Sequence, residues 1–188
     1  MQPADVTPIS ARPTRPEAIR QAAIKAAPLT TLVLGCGRRP VAGAVNHDYR
    51  YHSTHVDVAF DLDQYPWPIP NDRFKRVIAL DVFEHLEAEM TTWMKECWRI
   101  LELGGELVLR VSHYANPVSY RDPTHRWAWH EEAFCFYDPR HTLYQEYGSV
   151  YADDWPTFEI VSLSLGNADA RWPDKGDICA VLRKVARP

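Results

Sequence analysis

Long hydrophobic runs are missing from this sequence of 188 residues. Nothing in it approaches the ~20 consecutive apolar residues that a membrane-spanning helix needs, so no membrane partner is expected. An excess of positive charge is missing too. Lys and Arg number 21 against 25 Asp and Glu, for a net charge of −4. The only basic runs are short, Arg38–Arg39 and Arg183–Lys184, and they read as solvated surface. No nucleic-acid partner is expected from such a balance. Cysteine pairs of the C-x-x-C kind are absent, because Cys36, Cys97, Cys135 and Cys179 are scattered. That argues against a disulfide framework and a cysteine zinc site. The opening MQPADVTPISARPTRP has neither the basic start nor the apolar run of a signal peptide. A reduced, cytoplasmic protein is the expectation. Neither a G-x-S-x-G elbow nor a P-loop is found, which removes two common routes to catalysis.

What is present is the balance of a soluble globular chain, 46% apolar and 24% charged, with length for one domain. Four prolines fall in the first sixteen residues, so residues 1–16 read as a flexible lead-in and 17–188 as a single domain. Thr14 and Glu17 make a capping box for a helix over EAIRQAAIKAA, stopped by Pro28. Strands are predicted at TTLVLG, GAVNHD, HVDVAFDL, FKRVIALD and ELVLRVSH, with two more at TFEIVSLSL and DICAVLRKV. QYPWPIPN has three prolines and must be loop. Met90, Trp93, Met94, Cys97, Trp98 and Leu101 recur at helical spacing, a packing stripe that Gly104 and Gly105 are expected to end. The fold class that follows is α/β: a Rossmann-like, seven-stranded, mostly parallel sheet with helices on both faces. The first crossover helix must be truncated, since ten residues separate Gly37 from Asp48.

Chemistry concentrates at the strand ends. The first strand runs into Gly35-Cys36-Gly37, a turn whose backbone a ligand can approach. The third glycine of the dinucleotide fingerprint is replaced by Pro40, which lowers the case for NAD or FAD. Asp48, Asp61 and Asp81 then close the second, third and fourth strands. Ligands of open α/β sheets bind outside the carboxyl ends of strands, so these acids converge on the crevice of the glycine turn. There a carboxylate can accept hydrogen bonds from ribose hydroxyls or an adenine amino group. His85, His113 and His125 are the candidate bases, because imidazole titrates near neutral pH. Asp122, His125, His130 and Glu131 do not have the spacing of a zinc helix, and no metal is expected.

LVLGCG, VNHD, VDVAFDLDQYPWPIPNDRFKRVIALDVFEHL, ECWRILELGGELVLRVSH and DPTHRWAWHEEAF together resemble a class I SAM-dependent methyltransferase of the compact type-11-like branch, over about residues 30 to 136. The resemblance implies S-adenosylmethionine (SAM) as cofactor. It places Gly35, Cys36 and Gly37 against the methionine part, Asp48 on the ribose, Asp61 and Leu62 at the adenine, and Asp81 beside the sulfonium. It implies transfer of a methyl group to a small-molecule or glycan-like acceptor. An O-linked acceptor would use His113 or His125, with His85 nearby, as base. The Asn/Asp-Pro-Pro-Tyr/Phe sequence of amino-methyltransferases acting on bases is absent after strand four. Two positions depart from the pattern: Val33 stands where an acid is common, and Asp57 competes with Asp48 for the ribose. A SAM- or nucleotide-binding regulatory module without catalysis is the alternative.

Overall fold

The structure, a computed structural model, describes residues 30–148, 150, 155–166 and 176–188. The lead-in 1–16, the capping box at Thr14 and the helix expected to precede Pro28 lie outside the described residues. The seven strands are β1 (Thr31–Leu34), β2 (Val45–Asp48), β3 (Val58–Ala59), β4 (Phe74–Leu80), β5 (Leu101–Val111), β6 (Phe158–Gly166) and β7 (Asp177–Lys184). They form one sheet in the order β3-β2-β1-β4-β5-β7-β6. The pairings β2–β3, β1–β2, β1–β4 and β4–β5 are parallel, whereas β7 pairs antiparallel with both β5 and β6. A single reversed strand therefore makes the sheet mixed, with a parallel half that carries the site.

Alternation along the strands decides which face is core. On β5 Leu107, Leu109 and Val111 are buried while Glu106, Val108 and Arg110 are partly exposed, and β7 repeats the pattern with Ile178, Ala180 and Leu182 inward. Against that face lies helix α1 (Met90–Ile100), whose Trp93, Met94, Cys97 and Ile100 are completely buried. Each such side chain contributes about 1.5–3 kcal/mol as an upper figure for its transfer from water. The proline loop is sealed onto the same helix. Trp67 N–H donates to Glu96 Oε2 at 2.7 Å, and Arg99 Nη2 donates to the Trp67 carbonyl at 3.0 Å. The Trp67 side chain is buried in the main core, and Tyr65 packs against that core.

Three expectations are corrected. Helix α1 ends at Ile100, not at the glycines, because Leu101 turns extended (φ −77°, ψ 141°) and pairs with Phe74. Gly104 and Gly105 instead lie within β5, at an irregularity between the Phe74 and Arg76 pairings. Gly104 takes φ +81°, and a side chain on Gly105 would meet the Glu102 and Phe74 carbonyls at 2.9 and 3.1 Å. Second, the first crossover is more than truncated: Gly35 to Ala44 holds turns only. The buried Asn46 side chain occupies that turn, accepting from Val41 N–H at 2.8 Å and donating to the Val41 and Ala44 carbonyls at 3.2 Å. Third, the connections after β2 and β3 also hold no helix; besides α1 the described residues form one short α-helix, Val118–Arg121, and short 3-10 and π segments. Where no helix follows, loops join the strand ends, and the residues just after β1, β2, β3 and β4 line the site.

Candidate functional site

β1 delivers the chain into Gly35 and Gly37, both with positive φ (+58° and +54°). The turn does not present free N–H groups. Gly35 N–H donates to Nδ1 of His47 at 3.4 Å, Cys36 N–H to the His47 carbonyl at 2.8 Å, and Gly37 N–H to Asp48 Oδ2 at 2.7 Å. The turn is thereby bolted to the end of β2. Its missing side chain serves another purpose: a Cβ on Gly35 would stand 2.6 Å from Cγ2 of Val82, just beyond β4. Glycine lets these two loops touch and leaves a hollow between them.

That hollow is a cavity of about 460 Å³, within the usual range for small-molecule sites. Gly35, Asp48, Asp61, Leu62, Asp81 and His85, six of the residues singled out in the sequence, line it. Cys36 and Gly37 stand in the turn and do not line it. The Cys36 side chain packs in a small apolar cluster with Val33, Ala44 and Val56. Burial, then the charges of Asp48 and Asp57, push its thiol up to about 11, so it is no nucleophile at neutral pH. Asp57 is also outside the cavity lining. Its carboxylate accepts from Asn46 N–H at 2.8 Å and so ties the approach to β3 onto β2. Between the two competing acids, the cavity has Asp48.

Four carboxylates face the cavity, and each is held differently. Burial alone would raise the pKa of Asp48, but hydrogen bonds from Gly37 N–H, His52 and Tyr49 N–H outweigh it and hold the group below its ordinary value. Asp61 Oδ1 accepts from Asp63 N–H at 2.9 Å. Asp63 in turn accepts from the N–H groups of Glu87 and Ala88 at 3.0 to 3.1 Å, joining the β3 and β4 loops. Asp81, in the left-handed region at φ +59°, is gripped bidentately by Arg110 of β5, with Nε donating to Oδ1 at 2.6 Å and Nη2 to Oδ2. The cavity therefore favours a cation or a ligand rich in hydroxyl and amino donors.

His47, Phe60 and Asp63 were missed in the sequence. The His47 ring packs on Phe60 with centroids 4.0 Å apart, and its Nε2 lies 3.0 Å from the Phe60 carbonyl. With Nδ1 already accepting from Gly35, Nε2 carries the hydrogen. Burial pushes this histidine down to about 4, so it is neutral. Its place just before the strand-closing acid is the one signal that could have found it.

The segment Asp122 to Trp129 crosses the ends of β4 and β5. Arg126 and Trp127 N–H donate to the Glu84 carbonyl at 2.7 and 3.3 Å, Trp127 Nε1 to the Leu86 carbonyl at 2.8 Å, and Trp129 N–H to the Ser112 carbonyl at 3.1 Å. This places His125 edge-on against His85, with ring centroids 4.7 Å apart, and Thr124 Oγ1 lies 2.9 Å from Nδ1 of His85. His113 is not brought to this cluster. Ala115 N–H donates to its Nδ1 at 3.3 Å, and its Nε2 lies 3.1 Å from Glu131.

Glu84 lies beneath the two histidines and is almost completely buried. Burial pushes its carboxyl up to about 7; Asp81 and Asp177 add to the shift, while its own backbone hydrogen bond and Ser112 oppose it. An acid whose folded pKa is raised binds more protons folded than unfolded, so its stabilisation falls as pH rises from its ordinary value through about 7. His47 acts in the opposite sense: its lowered pKa costs stability as pH falls from 6.5 toward about 4. The two trends overlap, so the whole-protein profile hides both. Comparison of the wild type with Glu84→Gln separates them. In urea unfolding, the stability of the variant relative to the wild type is expected to rise by about 2–3 kcal/mol between pH 5 and 8. A pH-independent difference would show that Glu84 titrates normally.

No family model matches the chain, and neither does any curated protein. Solved structures do. A SAM-dependent methyltransferase from Archaeoglobus fulgidus is 15% identical, with a TM-score of 0.53, over 89% of this chain and 94% of that one. An S-adenosylmethionine-dependent methyltransferase from Mesorhizobium loti is 14% identical, TM-score 0.51, over 87% and 96%. The methyltransferase CalH, solved in complex with S-adenosylhomocysteine (SAH), is 16% identical, TM-score 0.54, over 89% of this chain and 55% of that chain. The fold is that of the SAM-dependent methyltransferases. In this methyltransferase fold the cavity opens where strand order reverses, between β1 and β4, the place where open α/β sheets bind ligands.

Proposed function

We propose that the chain is a SAM-dependent methyltransferase acting on a small-molecule or glycan-like acceptor through oxygen. One observation carries the reading: the glycine turn, Asp48 and Asp81 converge on a single cavity at the switch point of a methyltransferase fold. The residues fit the cofactor. Gly37, His52 and Cys36 all approach Oδ2 of Asp48, but Oδ1 takes only Tyr49 N–H and keeps a lone pair to accept from a ribose hydroxyl. Asp61 and Leu62 lie beside Phe60, a polar and apolar pair suited to an adenine. Asp81 and Asp63 supply negative charge for a sulfonium, with Asp81 tempered by Arg110. When bound, SAM supplies a methyl group already activated on a positively charged sulfur.

The protein's part is then to align the acceptor and take its proton. His85, in the cavity wall, and His125, against it, are assigned to that task. His113, with both ring nitrogens occupied, is assigned to holding the loop that begins at Tyr114. Calorimetry is expected to show one site for SAM and for SAH. With labelled SAM and a panel of hydroxylated acceptors, His125→Ala is expected to lower turnover at least 10-fold while SAM affinity stays within about twofold, since His125 does not line the cavity. No SAM binding by the wild type would sink the reading. Loss of SAM binding in the variant would sink the assignment of His125.

The alternative of a binding module without catalysis draws on Val33 and on the helix-free first crossover. Tight SAH binding with no transfer to any acceptor is the result that favours it.

A further inference from the structure

Ser112 follows β5 directly and is buried, and its hydroxyl has a single proton to give. Oγ donates to Oε1 of Glu84 at 3.3 Å and lies 3.5 Å from Nδ1 of His125. Both contacts are long, as catalytic hydrogen bonds often are before a ligand draws them in. The other carboxyl oxygen of Glu84, Oε2, is buried without a hydrogen-bond partner. Apart from its own backbone N–H, the charged carboxylate has one hydroxyl to stabilise it, and that hydroxyl's proton is committed to it. The Ser112 oxygen then offers His125 only lone pairs, so Nδ1 must carry the ring hydrogen.

We propose that Glu84 and Ser112 form a buried relay that holds His125 in the tautomer with its hydrogen on Nδ1, leaving the Nε2 lone pair to take the acceptor's proton. Both are positioning residues, and their importance for turnover rests on the assignment of His125 as base made above. The atoms balance. The acceptor oxygen bonds the methyl carbon, the electron pair of the broken carbon–sulfur bond stays on sulfur, and the hydroxyl proton passes to Nε2. The imidazolium so formed keeps its Nδ1–H on Ser112, whose own hydrogen bond leads to the Glu84 carboxylate.

One group works against the relay. Asp122 Oδ2 lies 3.9 Å from Nε2 and would favour a hydrogen there. Thr124 N–H and Oγ1 donate to the other oxygen, Oδ1, at 2.9 and 2.7 Å. The Asp122 side chain is substantially exposed and Oδ2, at 3.9 Å, stands beyond hydrogen-bond reach of Nε2, so water weakens its pull. Of the other titratable neighbours, His85 meets the ring edge-on, and the partly buried Asp177 acts on His125 by charge alone. Beyond Glu84, Asp81 and Asp177 act on that carboxyl.

Long-range proton–nitrogen NMR on the full chain with ¹⁵N-labelled histidine decides the point without any acceptor. Spectra are taken at pH 8, above the value of about 7 to which Glu84 is raised. In the wild type, Nε2 of His125 is expected to resonate in the pyridine-type range and Nδ1 in the pyrrole-type range. Ser112→Ala and Glu84→Leu, which leaves the serine no carboxyl or amide oxygen to donate to, are expected to reverse the pattern, and Ser112→Thr, which keeps the hydroxyl, to retain it. A wild-type spectrum with the hydrogen on Nε2 overturns the proposal whether or not the variants fold. A folded Ser112→Ala protein that keeps the hydrogen on Nδ1 overturns it as well. Calorimetry with SAM on the same samples separates this outcome from failure of the methyltransferase reading, because the tautomer does not depend on cofactor binding.

Discussion

Gly35→Ala is expected to lower SAH affinity by about 100-fold and to unfold at clearly lower urea, while Gly37→Ala keeps affinity within a few-fold and loses only the smaller stability of its backbone conformation. The two glycines share a backbone conformation, φ +58° and +54°, so each alanine pays about 1–2 kcal/mol for the left-handed region. Their surroundings differ. Around Gly37 a Cβ meets nothing within 4 Å, whereas at Gly35 it meets Cγ2 of Val82 at 2.6 Å and Cγ1 at 3.3 Å. Val82 cannot swing aside cheaply, because it is buried and branched at Cβ, and forcing such a contact adds about 1–3 kcal/mol. The neighbour it would drag is Asp81, itself at φ +59° and locked to Arg110. A displacement at the turn therefore reaches the cavity wall directly. The total of about 2–5 kcal/mol spans the roughly 2.8 kcal/mol of a 100-fold loss, since each factor of ten is about 1.4 kcal/mol. Calorimetry with SAH and urea unfolding read the two effects. Val82→Ala in the Gly35→Ala background should recover part of the loss, since it removes the contacted methyl groups. Equal behaviour of the two alanine variants would show that contact with Val82 does not shape the site.

The same contact explains which parts of the site were legible in the sequence. β1, β2 and β4 to β7 were visible because apolar or β-branched runs lie between glycine, proline and acid breaks. Helix α1 was visible because its packing stripe recurs at helical spacing. The end of the helix was not visible. Two glycines after a stripe ordinarily cap it, but Leu101 found a strand partner in Phe74, and the glycines went into bending β5. The third strand looked long because HVDVAFDL alternates, yet only Val58 and Ala59 pair, since Asp57 is drawn back to Asn46.

Within the site, residues that act through local position were found. The end of β2 yielded Asp48, and the residue after β4 yielded Asp81. Residues that act across strands were not. The Arg110 grip on Asp81 depends on the register Leu80↔Arg110, a pairing between residues thirty apart that no local pattern encodes. The occupation of the turn's N–H groups by His47 and Asp48 depends likewise on β2 lying beside β1. His113 and His125 looked equivalent in the sequence. Only packing separates them, one tied to Glu131 and Ala115, the other laid against His85.

Asp48→Asn and Asp57→Asn are expected to part company for the same reason. Asparagine at 48 keeps a carbonyl oxygen that can still accept from Gly37 N–H, so the turn should hold and the fold survive. It puts an amide donor, however, where ribose hydroxyls need an acceptor. Charge-assisted hydrogen bonds of about 1.5–3 kcal/mol become a mismatch, and SAH affinity is expected to fall 30- to 100-fold or more. Asp57→Asn instead weakens the link to Asn46 N–H, which costs about 1 kcal/mol of stability and leaves affinity within a few-fold, because Asp57 does not line the cavity. The pH dependence carries the sign of a depressed acid. Asp48 contributes fully above its ordinary value of 3.8 and is lost only as pH falls through its lower folded value, so wild-type affinity attributable to it should be flat from about pH 8 to pH 5. Calorimetry on the two variants at neutral pH, with urea unfolding beside it, makes the comparison. An Asp57→Asn protein that loses SAH while Asp48→Asn keeps it would transfer the ribose to the other acid. Equal, unchanged affinity in both would remove the carboxylates from recognition and leave the glycine turn and Asp81 to hold the ligand.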